Sequence, residues 1–132
     1  MNEPSPKRIG IAVVEHAGRF LVGTRGPEGP LAGYAEFPGG KCLPQESAWD
    51  CARRECFEEA QVDVVEDRLL LRCEFQYPHA VVDLSFFLCH PSDESLIRED
   101  HQGFHWVPAS DLAKLRFPEA NFKVIEILAG SF

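Results

Sequence analysis

A mixed β-sheet sandwiched between helices is the fold class this sequence predicts. Three observations predict it. Short runs rich in β-branched and aromatic residues come in pairs, as in residues 8–16 and 19–25 on either side of Ala17-Gly18. Two longer runs, 69–77 and 80–90, meet at Pro78-His79. Helical spacing recurs, most clearly in Ala48, Ala52, Cys56 and Ala60, which set an apolar stripe at every fourth position. Paired strands interleaved with such helices bury their apolar faces in layers.

Each element has its own signal. Residues 1–7 are polar, carry Pro4 and Pro6, and read as a loose tail. Residues 8–16 (RIGIAVVEH) form a strand, Ala17-Gly18 a tight turn, and 19–25 the returning strand. Residues 26–35 (GPEGPLAGYA) hold two prolines and three glycines and form a surface loop of the kind that closes over a ligand. Ser47 suits the N-cap of a helix running to about Gln61, and residues 62–65 begin the next strand. Residues 91–100 are a polar, acidic connector, and 104–107 a short strand. Pro108 suits the first position of a helix over 109–115. A last helix over 119–128 turns Phe122, Ile125 and Leu128 or Ala129 inward, and Gly130 stops it.

The composition, 45% hydrophobic and 26% charged over 132 residues, is that of one ordinary globular domain spanning 1–132. A net charge of −8 argues against a surface for duplex nucleic acid, which needs basic patches. A small phosphate ligand stays possible where a metal ion brings positive charge locally. The five cysteines are odd in number and contain no CxxC pair, so they predict neither a zinc site nor a disulfide framework. They fit reduced, mostly buried thiols in a cytoplasmic protein. The opening MNEPSPKR has no apolar stretch of a signal peptide, and no apolar run approaches the ~18 residues of a membrane span. A homodimer is kept as a candidate assembly.

Function concentrates in residues 39–62, GGKCLPQESAWDCARRECFEEAQV. Glu55, Glu58 and Glu59 stand at i, i+3 and i+4 and share one helical face. Crowded carboxylates repel, and an all-oxygen cluster suits Mg²⁺ or Mn²⁺. A solvated acidic face is the other reading. Gly40 is followed after five residues by Glu46, and seven residues later by Arg54-Glu55, Cys56, Glu58, Glu59, Gln61 and Val62.

This spacing resembles the Nudix box, G-x5-E-x7-R-E-U-x-E-E-x-G-U, in which U is a bulky apolar residue. Every charged position matches. Gln61 replaces the second glycine, and Cys56 is a small member of the U class. Glu36-Phe37-Pro38-Gly39-Gly40-Lys41, Thr24-Arg25, Trp106-Val107 and residues 117–121 are similar to MutT-type Nudix enzymes, so the resemblance spans about residues 9–128. It implies the Nudix fold, a mixed sheet in an α/β/α sandwich, and Mg²⁺-dependent hydrolysis of a nucleoside triphosphate, including oxidised ones such as 8-oxo-dGTP, to monophosphate and pyrophosphate. ADP-ribose or another nucleoside diphosphate derivative is the alternative substrate, and a nucleotide-binding module without turnover is a third reading.

The resemblance also implies roles. Glu55, Glu58 and Glu59, with a carbonyl of Gly39 or Gly40, would hold the metal. Arg54 would orient Glu58 through helical spacing or Glu46 through proximity. Glu46 is either a supporting carboxylate or a first-turn charge on the helix dipole. Glu55 is the first choice of general base, and Glu99 and Asp100 are candidates for a further acidic ligand or base. Arg25, Phe37, Pro38, Gly39, Gly40, Lys41 and Asn121 would flank the nucleotide, with the Asn121 amide suited to a purine edge. The 77–80 turn lacks the Asp-Arg pair of bacterial MutT enzymes, and Pro78 falls where ADP-ribose-cleaving members carry a proline. His79, His101 and His105 read as surface or strand residues and not as ligands.

Overall fold

The structure, a computed structural model, describes residues 6–78 and 80–132; residues 1–5 and His79 of the sequence reading lie outside the described residues. Lys7, expected in the tail, is the first residue of a strand. β1 (Lys7–His16) and β2 (Arg19–Thr24) form the first hairpin, with His16 opposite Arg19. Ala17 and Gly18 both take positive φ, 52° and 77°, the twist that a two-residue hairpin turn requires.

Among the described residues the strands form one eight-stranded sheet. β5 (Val64–Tyr77) pairs antiparallel with β6 (Ala80–Pro91), and β6 runs parallel to β1. β2 continues to β8 (Phe104–Pro108) and β7 (Asp100–His101). Two short strands hang on this frame: β3 (Ala35–Glu36) on β2 and β4 (Gly39–Lys41) on β1. The double glycine is therefore strand, with Gly10 opposite Gly40.

Strand alternation sends successive side chains to opposite faces. Ala12, Val14, Phe87 and Cys89 face α1 (Ala48–Ala60) and meet its buried Ala52, Cys56 and Ala60. Ile11, Val13, Phe86 and Leu88 face the other way. There they meet Leu112 of α2 (Ala109–Leu112) and Val124, Ile125 and Leu128 of α3 (Phe122–Ser131). This is the expected α/β/α sandwich.

Several boundaries differ from the sequence reading for physical reasons. Residues 62–65 and 69–77 belong largely to one strand, β5. Register shifts between Glu66 and Arg68 and between Leu69 and Leu71 break its alternation, which hides its continuity. α2 ends at Leu112, not 115, and a 3-10 turn over Glu119–Asn121 precedes α3. Gly130 does not stop α3, which runs to Ser131. Phe122 is exposed, and Val124 takes the inward place instead.

Gln61 caps α1 with left-handed backbone, φ 56°, and donates its N–H to the Phe57 carbonyl at 2.9 Å. A side chain costs about 1–2 kcal/mol there, partly offset by glycine's greater freedom when unfolded. Gln61→Gly should therefore stabilise the protein by about 0.5–1 kcal/mol, read by thermal melting. A lower melting temperature would show that the contact of Gln61 with Gln102, 3.5 Å, matters more than backbone strain.

Candidate active site

Ser47 starts α1 by accepting the Asp50 N–H at 3.1 Å, which fixes where the helix begins and so which residues project from its free side. With Ala52, Cys56 and Ala60 turned into the sheet, Arg54, Glu55 and Glu59 are left half-buried at the edge of α1 and Glu58 exposed.

Arg54 joins the acidic residues. Its Nε and one terminal nitrogen donate to both oxygens of Glu46, at 2.7 and 2.8 Å. Its other terminal nitrogen donates to Glu55 at 2.8 Å and to Glu58 at 3.2 Å. The first of those nitrogens also reaches the Lys41 carbonyl at 3.1 Å, tying α1 to the end of β4. Both sequence alternatives for Arg54 are thus present, and the bidentate pair with Glu46 is the tighter. Hydrogen bonding from Arg54 holds the Glu46 carboxyl down at about 2. Arg54 is itself held above its ordinary range, first by Glu46 and next by Glu55. Glu46 supports the site: its carboxylate also accepts the Leu43 N–H at 3.1 Å.

The double glycine meets this cluster at contact distance. A Cβ on Gly40 would collide with the Glu55 carboxylate. Gly39 donates its N–H to Glu59 Oε1 at 2.9 Å. Burial is the main cause that pushes Glu59 up to about 7, with Glu36, Glu55 and Glu58 adding repulsion. Gly40→Ala should displace Glu55 and lower turnover about 10–100-fold, the scale expected when a site side chain is pushed out of place. Unchanged activity would show that Glu55 can move without consequence; circular dichroism checks the fold.

A cavity of about 560 Å³ opens beside these residues. Gly39, Gly40, Lys41 and Glu59 line it, together with Arg25, Glu36, Tyr77 and Asn121. Its wall is apolar, with Ile9, Ile11, Val82 and Leu84 from β1 and β6. Phe37 lines the cavity while 4% exposed, stacked on Phe117 at 4.9 Å, so it is a core residue and a cavity wall at once. Pro38 is fully buried, and its carbonyl accepts the Ala12 N–H at 2.8 Å; it shapes β4 instead of lining the cavity. Arg25 pairs with Glu36 at 3.7 Å and donates to the Pro30 carbonyl at 3.2 Å. Asn121 donates one amide hydrogen to the Pro118 carbonyl at 3.3 Å.

Among the cavity residues that sequence reasoning missed as site candidates are the ionisable Lys7, Glu28, Glu36 and Tyr77. Glu36 is raised from its ordinary value by burial, against the pull of Arg25. Its signal was available: a carboxylate three residues before the glycine that meets Glu59. Glu99 and Asp100 are not brought to the cavity. Both are exposed, and Asp100 accepts the Gly103 N–H at 3.1 Å and lies 3.7 Å from His105. His101 is buried in β7, accepting the Arg98 N–H at 2.9 Å, while His105 is exposed on β8.

In this arrangement no three acidic, histidine or cysteine side chains among the described residues are grouped to grip a cation. Arg54 occupies Glu55 and Glu58, and Glu59 turns to the Gly39 N–H. The donor chemistry nevertheless fits a hard divalent ion: carboxylates and glycine backbone meet in one place, and Glu59 is half-buried with no ion-pair partner among the described residues.

Residues 10–127 match a family described as the NUDIX domain. An 8-oxo-dGTP diphosphatase of Haemophilus influenzae is 35% identical over 94 residues, 70% of this chain and 68% of the relative. A CTP pyrophosphohydrolase of Escherichia coli is 23% identical over 115 residues, 87% of this chain and 85% of the relative. The crystal structure of a MutT protein from Methanosarcina mazei superposes with a TM-score of 0.79 at 21% identity, covering 98% of this chain and 97% of that one.

Proposed function

This chain belongs to the Nudix domain family of hydrolases, and from that membership we propose that it cleaves a nucleoside triphosphate to monophosphate and pyrophosphate with Mg²⁺, or Mn²⁺, as cofactor. The observation that carries the reading is the junction of the Arg54 carboxylate cluster with the double glycine beside a cavity whose lining includes Gly39, Gly40, Glu59 and Asn121.

The residues divide the work. Glu55, Glu58 and Glu59, with the Gly39 carbonyl, would hold the cation. When bound, the cation neutralises phosphate oxygens and makes a water more acidic. Glu55, held on one oxygen by Arg54 and lying against Gly40 with the other, accepts the proton of the attacking water. Arg54 and Glu46 keep the carboxylates in place as charge moves. Lys41 and Arg25 meet the phosphate chain as cations, and Phe37 walls the base. Asn121 keeps an amide oxygen and one N–H for the base edge. Glu99 and Asp100 stay outside this reading, because neither lines the cavity.

The likeness to relatives called 8-oxo-dGTP diphosphatase supports an oxidised purine nucleotide as substrate. A cytoplasmic setting accords with five free cysteines, and among the described residues no helix is long and apolar enough to cross a membrane. The test is pyrophosphate release with Mg²⁺ from 8-oxo-dGTP, dGTP, CTP and ADP-ribose. We expect 8-oxo-dGTP to be the preferred triphosphate. No turnover of any triphosphate would overturn the substrate class, and ADP-ribose cleavage alone would move it to diphosphate derivatives.

A further inference from the structure

Two thiols lie inside the support of the carboxylate cluster, and the hydrolysis proposed above uses neither. Cys42 directly follows β4 and is half-buried. Its N–H donates to the Arg8 carbonyl at 2.9 Å, which pins it beside β1. Cys51, on the first turns of α1, is fully buried. Its Sγ donates to the Gly40 carbonyl at 3.2 Å. A Cβ on Gly10, the residue opposite Gly40, would stand 3.0 Å from the Cys51 Cβ, and strand alternation turns the Cys42 side chain, two residues on from Gly40 and beside Arg8, to that same face of the sheet. Cys51 thus touches the glycine that meets Glu55. Cys42 is bonded in sequence to Lys41, whose carbonyl also accepts from Arg54.

We propose that Cys42 and Cys51 are a redox-sensitive pair, and that a disulfide between them disturbs the Gly40–Glu46–Arg54 support and lowers hydrolysis. The activity half of this inference rests on the function proposed above; the disulfide half does not. Cys42 reacts first because solvent reaches it. With hydrogen peroxide as oxidant, the Cys42 sulfur takes one oxygen to become a sulfenic acid and one water leaves. The Cys51 sulfur then attacks the Cys42 sulfur, the S–O bond breaks, and a second water carries away the Cys51 proton. Two thiols are oxidised by two electrons, and one peroxide is reduced to two waters. The bridged Cys51 has no hydrogen left for the Gly40 carbonyl, and its sulfur is drawn toward the end of β4. Burial pushes the Cys51 thiol up to about 12, so in the reduced protein it stays a hydrogen-bond donor at neutral pH, and its attack on the Cys42 sulfenic acid is slow there and speeds as pH rises.

Trypsin releases both cysteines in one peptide, residues 42–53, which makes the test direct. The full chain is treated with hydrogen peroxide, and that peptide is weighed before and after cleavage at Glu46. The expected result is a peptide lighter by two hydrogens whose halves remain joined until dithiothreitol is added. Hydrolysis falls about tenfold or more in the bridged protein, the scale of lost ligand support, and recovers on reduction. Cys42→Ser keeps its basal activity and loses the sensitivity, while Cys73→Ser, altering the other half-buried cysteine, stays sensitive. A peptide 42–53 that never loses its hydrogens, or a bridged protein with full activity, overturns the proposal. If the reduced chain hydrolyses no nucleotide, the mass and a shifted melting temperature still decide whether the bridge forms and alters the structure.

Discussion

Glu59→Gln lowers kcat by about 100- to 1,000-fold, several kcal/mol of transition-state stabilisation, while making the metal-free protein more stable at pH 8. The opposed signs come from one cause. Folding half-buries Glu59 beside other carboxylates, so its pKa rises from 4.5 to about 7. A carboxyl whose pKa rises on folding binds its proton more tightly in the folded state. Stability is therefore lost as pH climbs from the unfolded value to about 7, and the penalty is complete above that. Gln carries no charge and still offers an oxygen to the Gly39 N–H. After discounting for partial exposure, the gain at pH 8 is about 1–2 kcal/mol, and it vanishes near pH 4. Melting curves of both proteins at the two pH values, without metal, read this directly. Equal melting temperatures at pH 8 would mean that Glu59 is not strained by its neighbours. Mg²⁺ should raise the wild-type melting temperature and leave the variant nearly unchanged.

Arg54→Ala has the second large effect. One guanidinium serves Glu46, Glu55 and Glu58, and the Glu46 side chain is only 12% exposed. Removing the cation leaves Glu46 poorly solvated and unpaired, at a cost of about 2–4 kcal/mol, and lets Glu55 and Glu58 drift, at about 100-fold or more in kcat. Arg54→Lys restores little, since an ammonium cannot grip both Glu46 oxygens and Glu55 together. The sign with pH is opposite to that of Glu59. Glu46 is depressed to about 2, so its contribution is present above the unfolded value of 4.5 and is lost as pH falls toward 2. The stability gap between wild type and Arg54→Ala should narrow over that range. A gap unchanged by acid would assign the loss to packing of the arginine stem.

The site was legible in the sequence to the extent that it is local. Glu55, Glu58 and Glu59 share a face because helix geometry puts i, i+3 and i+4 together, and that needs no knowledge of the rest of the chain. Glu46, Arg54 and the double glycine follow at fixed spacing within the same stretch. The partner of Arg54 was ambiguous, because helical spacing favoured Glu58 while Glu46 depended on the path of residues 42–47. Glu36 and Tyr77 were missed for a different reason. They stand on β3 and β5, far apart in sequence, and only the sheet brings them to one cavity. Glu99 and Asp100 show the converse: acidic residues near β8 in sequence whose side chains the β7–β8 turn turns to solvent.

By itself the sequence determined the periodic features: the strand pairs, the α1 stripe that packs on the sheet, the carboxylate face and the glycines beside it. These depend on backbone periodicity and on residue chemistry within a few turns of chain. Tertiary structure alone decided that β4 is a strand opposite β1, which sets Gly40 against Glu55. It decided that Glu59 is buried enough to hold its proton to about 7. It also decided that the cavity beside the carboxylates is lined by Asn121 as well. Burial and long-range approach arise from packing between layers, and no local pattern of residues encodes them.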